Sequence, residues 1–232
     1  MAIQSINPAT GELLETFIEF DQVLIDQKLS DSIRIFKLWR KCSFSEKSTL
    51  FLKLQVILLE QKQNLGKLIS LEMGKPFSEA INEIEKCAVS CQFYAENAEL
   101  FLQNDVIVSD AKESFISYEP LGPILGIMPW NFPFWQVLRF AAPALMGGNV
   151  AVLKHASNVP QSALLIEKLF KESGFPEGAF QTLLISSSKV EALIRDWRIK
   201  AVTLTGSEPA GKQVAKVAGE EIKPVILELG GS

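Results

Sequence analysis

Between Gly126 and Arg139 the chain reads GIMPWNFPFWQVLR, an aromatic segment holding one asparagine and one arginine. Aromatic bulk of this kind fills cores, and a core seldom takes an amide and a guanidinium among its tryptophans without a task for them. Asn131 brings amide donors and an acceptor, and Arg139 brings a planar fork of donors suited to an anion. Three further places share this quality. Lys154 closes the apolar run NVAVLKH, Gly206 and Ser207 stand between KAVTLT and a helix-like segment, and Glu228 interrupts the apolar VILEL. A Gly-Ser step opening a helix presents free N–H groups to a phosphate. A carboxylate that ends an apolar strand loses solvation, which lifts its pKa toward that of a useful base.

Such residues matter only if the fold collects them. Beyond the aromatic segment strands and helices alternate. NVAVLKH reads as a strand, and PQSALLIEKLFKESGFP as a helix with Pro160 at its start and Gly174 past its end. AFQTLLIS is a strand, SKVEALIRDW a helix, KAVTLTGS a strand, EPAGKQVAKVAG a helix and KPVILEL a last strand. Short apolar strands between helices predict a parallel sheet covered on both faces, an α/β Rossmann-like fold. Ligands of such sheets bind beyond the carboxyl ends of the strands. Asn131, Lys154, Gly206 with Ser207, and Glu228 all fall at or just after strand ends.

The first hundred residues read as helical, with Leu29, Ile33, Phe36 and Trp39 at helical spacing. Ser43 and Glu46 form a capping-box pattern before a second helix, which EMGKP ends. In a third, Ile84, Cys87, Ala88, Cys91 and Ala95 share a face, so Cys87 and Cys91 are expected in a helix seam, not on a metal. From Val106, DVIVSD and SFISYEPLGPILGIM are β-like and predict a hairpin arm. The expected organisation is a helical amino-terminal part over 1–105, a β-arm for oligomerisation over 106–128, and a cofactor-binding part over 129–232.

Composition excludes several function classes. The net charge of −4 and the lack of a basic stretch argue against nucleic acid as a partner. No apolar run approaches membrane-spanning length, and the start MAIQSINPATGELLE lacks a signal peptide's basic flank and apolar core. Cys42, Cys87 and Cys91 make neither a disulfide framework nor a metal site. A cytoplasmic protein is the expectation. His155, the only histidine, reads as a bystander.

In order along the chain, NPATGE, EMGKP, PLGPILGIMPWNFP, LTGS and LELGG resemble the aldehyde dehydrogenase superfamily, from Asn7 to Ser232. MPWNFPFWQVLR, LKHASNV and ILELGGS are most similar to its bacterial succinate-semialdehyde dehydrogenases that use NAD or NADP. The resemblance implies oxidation of an aldehyde to its acid through a thiohemiacetal and a thioester on a cysteine. It implies that Asn131 donates to the oxyanion and that Glu228 is the general base. It places Met128, Trp130, Asn131, Lys154, Ser157, Gly206, Ser207 and Leu229 at the cofactor, with Lys154 on the adenosine ribose and Trp130 at the nicotinamide end. Arg139 would face the free carboxylate of the substrate, its alternative being an ion pair with a nearby acid. Ser157 stands where strictly NAD-dependent relatives carry a glutamate, so NADP is expected to be accepted. The complete form is expected as a homodimer or homotetramer.

One departure stands out. The family nucleophile lies in a GQxC-like motif downstream of LELGG, and no cysteine of this sequence follows Asn131. The chain is therefore expected to be the amino-terminal half of such an enzyme, without its catalytic domain and inactive alone. The alternatives are a non-catalytic nucleotide-binding or interaction module, or an enzyme for a different aldehyde.

Overall fold

A computed structural model describes residues 2–230 of the chain; Gly231 and Ser232, the end of the LELGGS motif, lie outside the described residues. Five parallel strands form the central sheet in the order β7-β6-β5-β8-β9, comprising β5 (Pro123–Met128), β6 (Val150–His155), β7 (Phe180–Thr182), β8 (Ala201–Ser207) and β9 (Val225–Gly230). The chain runs outward from β5 in one direction, then restarts beside β5 with β8 and β9. The switch point is between β5 and β8, where the sheet opens a crevice at its carboxyl edge.

Side chains alternate across the sheet, and so do its two cores. One core joins Leu153, Ala151 and Met128 to α2 (Phe44–Met73), α3 (Phe77–Phe101), α4 (Trp135–Met146) and α5 (Pro160–Glu172). The other joins Leu125, Val152 and Leu204 to α6 (Val190–Arg195), α7 (Glu208–Glu220) and the first half of α1 (Gln22–Trp39). Two glycines permit the closest contacts. A Cβ at Gly126 would stand 2.5 Å from the Phe140 ring, so its absence lets α4 lie flat on β5. A Cβ at Gly211 would stand 2.5 Å from Leu229, so α7 can settle against β9.

The Ser43–Glu46 capping box forms, and Gly74 ends α2 in the left-handed region at φ 80°. Cys87 and Cys91 are buried in α3, and burial pushes both thiols upward.

Several sequence expectations need correction. The amino terminus is not helical throughout: β1 (Ala2–Ile6) and β2 (Leu13–Ile18) form an antiparallel hairpin. NPATGE is its turn, where Asn7 Oδ1 accepts from Ala9 N at 3.0 Å and Asn7 O from Gly11 N at 2.8 Å. The strands are too short for their alternation to stand out beside 18- and 30-residue helices. The arm is also shorter than 106–128. Its paired strands are β3 (Asp105–Val106) and β4 (Phe115–Ile116), whereas Pro123–Met128 is the central strand of the main sheet. Finally, β9 is not a buried strand. It is an edge strand, and Ile226 is 66% exposed.

Candidate active site

Apart from Arg139, which stands on α4, the candidate residues lie at or just beyond the carboxyl ends of the strands. Met128 ends β5 in register with His155 of β6, and Asn131 lies in the loop from β5 into α4. Lys154 is on β6. Gly206 and Ser207 end β8, in register with Leu229 and Gly230 of β9. Ser207 is the N-cap of α7 and makes no side-chain capping bond, and Pro209 in the first turn has no N–H of its own.

Alternation of the strands divides these residues between two faces. On the α4 face a cavity of about 430 Å³ is lined by Met128, Gln136, Arg139, Thr205 and Glu228, among others. Arg139 Nη2 forms an ion pair with Glu228 Oε1 across it. The partner of Arg139 is thus an acid remote in sequence, itself the candidate base. Glu228 is not desolvated as its apolar strand suggested. Its side chain is 43% exposed because β9 is at the sheet edge.

On the opposite face Lys154 lines two cavities. One, of about 520 Å³, sets the apolar Ile127, Leu204, Val214 and Val217 beside the charged Glu191, Arg195 and Lys216. The other, of about 340 Å³, is polar, with Ser157, Asn158, Ser186 and Ser187. Lys154 is buried, burial pushes its pKa down, and it makes no ion pair among the described residues. A buried ammonium without a counter-charge is costly unless a ligand supplies polar partners. Glu19, also in the polar cavity, is not such a partner. It accepts from Ser186 N at 2.8 Å and pairs with Lys189 at 3.2 Å, and the Ser186 hydrogen bonds hold its pKa down at about 2. Trp130 is half exposed at the same edge.

The loop carrying Asn131 is held by residues that no sequence motif had assigned to the site. Glu83 of α3, fully buried, accepts from Phe134 N at 2.8 Å and Trp135 N at 3.0 Å. Lys75, from EMGKP, pairs with the other oxygen of Glu83, and its Nζ lies 3.5 Å from the centre of the Phe132 ring. His155 is not a bystander. Its Nε2–H donates to Pro133 O at 2.8 Å and its Nδ1 accepts from Ala156 N at 2.8 Å. Burial pushes the imidazole down to about 4, so it is neutral at pH 7 and serves as an anchor. Glu72 does for α5 what Glu83 does for α4. It accepts from Gln161 N and Ser162 N, each at 2.8 Å, and from the Ser5 hydroxyl at 2.9 Å.

This architecture is shared. The profile of the aldehyde dehydrogenase family matches residues 1–232. The chain belongs to that family. A Synechocystis sp. protein named a probable succinate-semialdehyde dehydrogenase (NADP+) is 53% identical over 232 residues, covering 100% of this chain and 51% of its own length. A Mycobacterium tuberculosis protein named succinate-semialdehyde dehydrogenase (NADP+) 1 is 48% identical over 235 residues, with the same coverage. Among solved structures, a succinic semialdehyde dehydrogenase from Streptococcus pyogenes in complex with NADP+ superposes with a TM-score of 0.96 at 36% identity. It is matched over 99% of this chain and 50% of its own. The chain spans about half the length of the curated relatives it matches. Among the described residues no helix is long and apolar enough to cross a membrane, and no group of acidic, Cys or His side chains could hold a metal ion.

Proposed function

We propose that this chain forms the NADP-binding part, and one side of the catalytic site, of an enzyme that oxidises succinic semialdehyde to the acid. The carrying observation is the α4-face cavity. Arg139 and Glu228 meet across it, and Asn131 lies in the loop between two residues that line it, Met128 and Gln136. A semialdehyde needs one group for its carboxylate, one donor for its reacting oxygen and one base, and these three side chains are of those kinds.

Arg139 binds the free carboxylate by charge-assisted hydrogen bonds, and Glu228 leaves it as the substrate carboxylate takes its place. The Asn131 amide, with no hydrogen bond to any described residue, donates to the oxygen that becomes an oxyanion. Glu228 then takes the proton from the water that completes acid formation. A dinucleotide, when bound, supplies the acceptor for the hydride. The chain offers it a buried Lys154 with no ion pair among the described residues, the larger cavity beside it, and the N-terminus of α7 next to Gly206 and Ser207. The hydroxyl of Ser157 lines the polar cavity with Ser186, Ser187 and the Lys154 ammonium, donors for the extra phosphate of NADP, while the Glu19 carboxylate in the same cavity is already engaged by Ser186 and Lys189. Leu229, in register with Gly206, packs where Gly211 of α7 has no Cβ, and so sets the first turn of that helix close to the strand end. Cys87 and Cys91 are buried in α3, inert as nucleophiles. Exposed Val106, Val108 and Phe115 on the β3–β4 arm support assembly into a dimer or tetramer.

The test uses a catalytically complete form of the protein with succinic semialdehyde and butanal. Arg139→Ala raises KM for the semialdehyde about tenfold or more, from loss of a charged hydrogen bond of ~1.5–3 kcal/mol. Butanal is not penalised, because it has no carboxylate to lose. Equal losses for both aldehydes would mean that Arg139 only supports the fold and that the substrate assignment is wrong.

A further inference from the structure

Asn131 is three residues before Phe134, the N-cap position of α4. An asparagine in a loop bonds locally, its Oδ1 accepting from a backbone N–H two or three positions on. Pro133, two positions on, has no N–H to offer. Left to local chemistry, the Asn131 side chain would turn inward and accept from Phe134 N. In the structure it does not. It is exposed, and Phe134 and Trp135 donate instead to Glu83 Oε1, from a helix 51 positions earlier in the chain.

We propose that the buried Lys75–Glu83 pair is a positioning device that takes over the capping of α4 so that the Asn131 amide is kept free for the reacting oxygen. The inference rests on the role proposed above for Asn131. Three features support it. Glu83 places a full negative charge at the helix N-terminus, a stronger partner for two N–H groups than a neutral amide. Lys75 neutralises that charge inside the protein, and its ammonium also packs on the ring of Phe132, the residue directly after Asn131. His155 fixes the next carbonyl, Pro133 O. Residues 132 to 135 are therefore each held from outside the loop, which leaves Asn131 at the first position that nothing holds. Local capping and catalysis compete for the same amide, and the remote carboxylate removes the competition.

The test is amide hydrogen exchange at Phe134 and Trp135, read by NMR on the 232-residue chain. Asn131→Ala should leave both rates unchanged, since Asn131 does not cap. Lys75→Met with Glu83→Leu, which leaves no unpaired buried charge, should speed exchange about tenfold or more. Adding Asn131→Ala to that pair should then speed the Phe134 amide again, because the freed asparagine has turned inward. Lys75→Met with Glu83→Gln keeps an acceptor and should restore most of the protection. Should the leucine pair not fold, Lys75→Met with Glu83→Met, close to glutamate in volume and without an acceptor oxygen, gives the same comparison with and without Asn131→Ala. Faster exchange in Asn131→Ala alone, or no change in the leucine pair, overturns the proposal. In a catalytically complete form, the leucine pair should lower kcat toward that of Asn131→Ala while KM for NADP holds, and the triple variant should be no slower than Asn131→Ala. Additive losses would mark a general structural role and also overturn it. If the exchange pattern holds but no variant or parent oxidises an aldehyde, the functional reading fails while the clamp stands.

Discussion

Asn131 follows a central strand, in a loop fixed by buried Glu83, Lys75 and His155. Glu228 belongs to an edge strand, with a side chain 43% exposed and a single ion-pair partner, Arg139, on the facing helix. In the roles proposed above, the two ends differ in what their chemistry demands. A donor aimed at developing charge is effective only when it is held in place before the reaction, because any reorganisation subtracts from the gain. A base has to exchange partners, first a cation and then a water, so it is better placed where rotation meets little packing.

The largest expected effect separates the two ends by their pH dependence. In a catalytically complete form, Glu228→Gln should lower kcat by about 10²–10⁴-fold and abolish the acidic limb of the pH–rate profile. Asn131→Ala should lower kcat by about 10²–10³-fold with that limb intact. A limb lost in both variants would mean that the two groups act as one unit, and the contrast drawn here would dissolve.

The anchored end should also respond to acid. His155 is held neutral at about 4 in the folded chain, against 6.5 for a free imidazole. Between those values the unfolded chain binds the proton first. Stability from this group is therefore complete above pH 6.5 and is lost as the pH falls to about 4, by up to about 3 kcal/mol. Urea unfolding across this window should show the slope, and His155→Gln should flatten it. An unchanged slope would remove His155 from the set of anchors.

Packing gives a smaller contrast. Gly126→Ala drives a methyl into the Phe140 ring under the β5 end and should cost about 1–3 kcal/mol by denaturant unfolding. Ile226→Ala on β9, at a side chain 66% exposed, should stay within about 0.5 kcal/mol. Similar costs would show that β9 is as tightly built as β5. The smallest effect concerns the cofactor face, away from both ends. Ser157→Glu sets a carboxylate against the 2′-phosphate of NADP and should lower kcat/KM for NADP by about tenfold, with NAD nearly untouched. An unchanged ratio of the two cofactors would place their discrimination elsewhere.

The order of strands and helices from Val150 onward, the positions of Asn131, Lys154, Gly206, Ser207 and Glu228 at strand ends, and the membership of the chain in its family were all legible in the sequence. They rest on local patterns, meaning apolar runs, caps, turns and short motifs, each complete within a few neighbouring residues. What the tertiary structure alone decided rests on contacts between distant segments. Glu79, Glu83 and Glu85 look alike along α3, and only packing shows that Glu83 is the one turned inward to cap a helix across the core. The same holds for Glu72 at α5 and for His155, whose partners lie 22 or more positions away apart from the neighbouring Ala156, and for Lys75, which pairs with Glu83 on the next helix and packs on Phe132. The exposure of Glu228 follows from the place of β9 at the sheet edge, which an apolar strand sequence does not reveal. Its pairing with Arg139 follows from strand alternation, which sets position 228 and α4 on one face of the sheet.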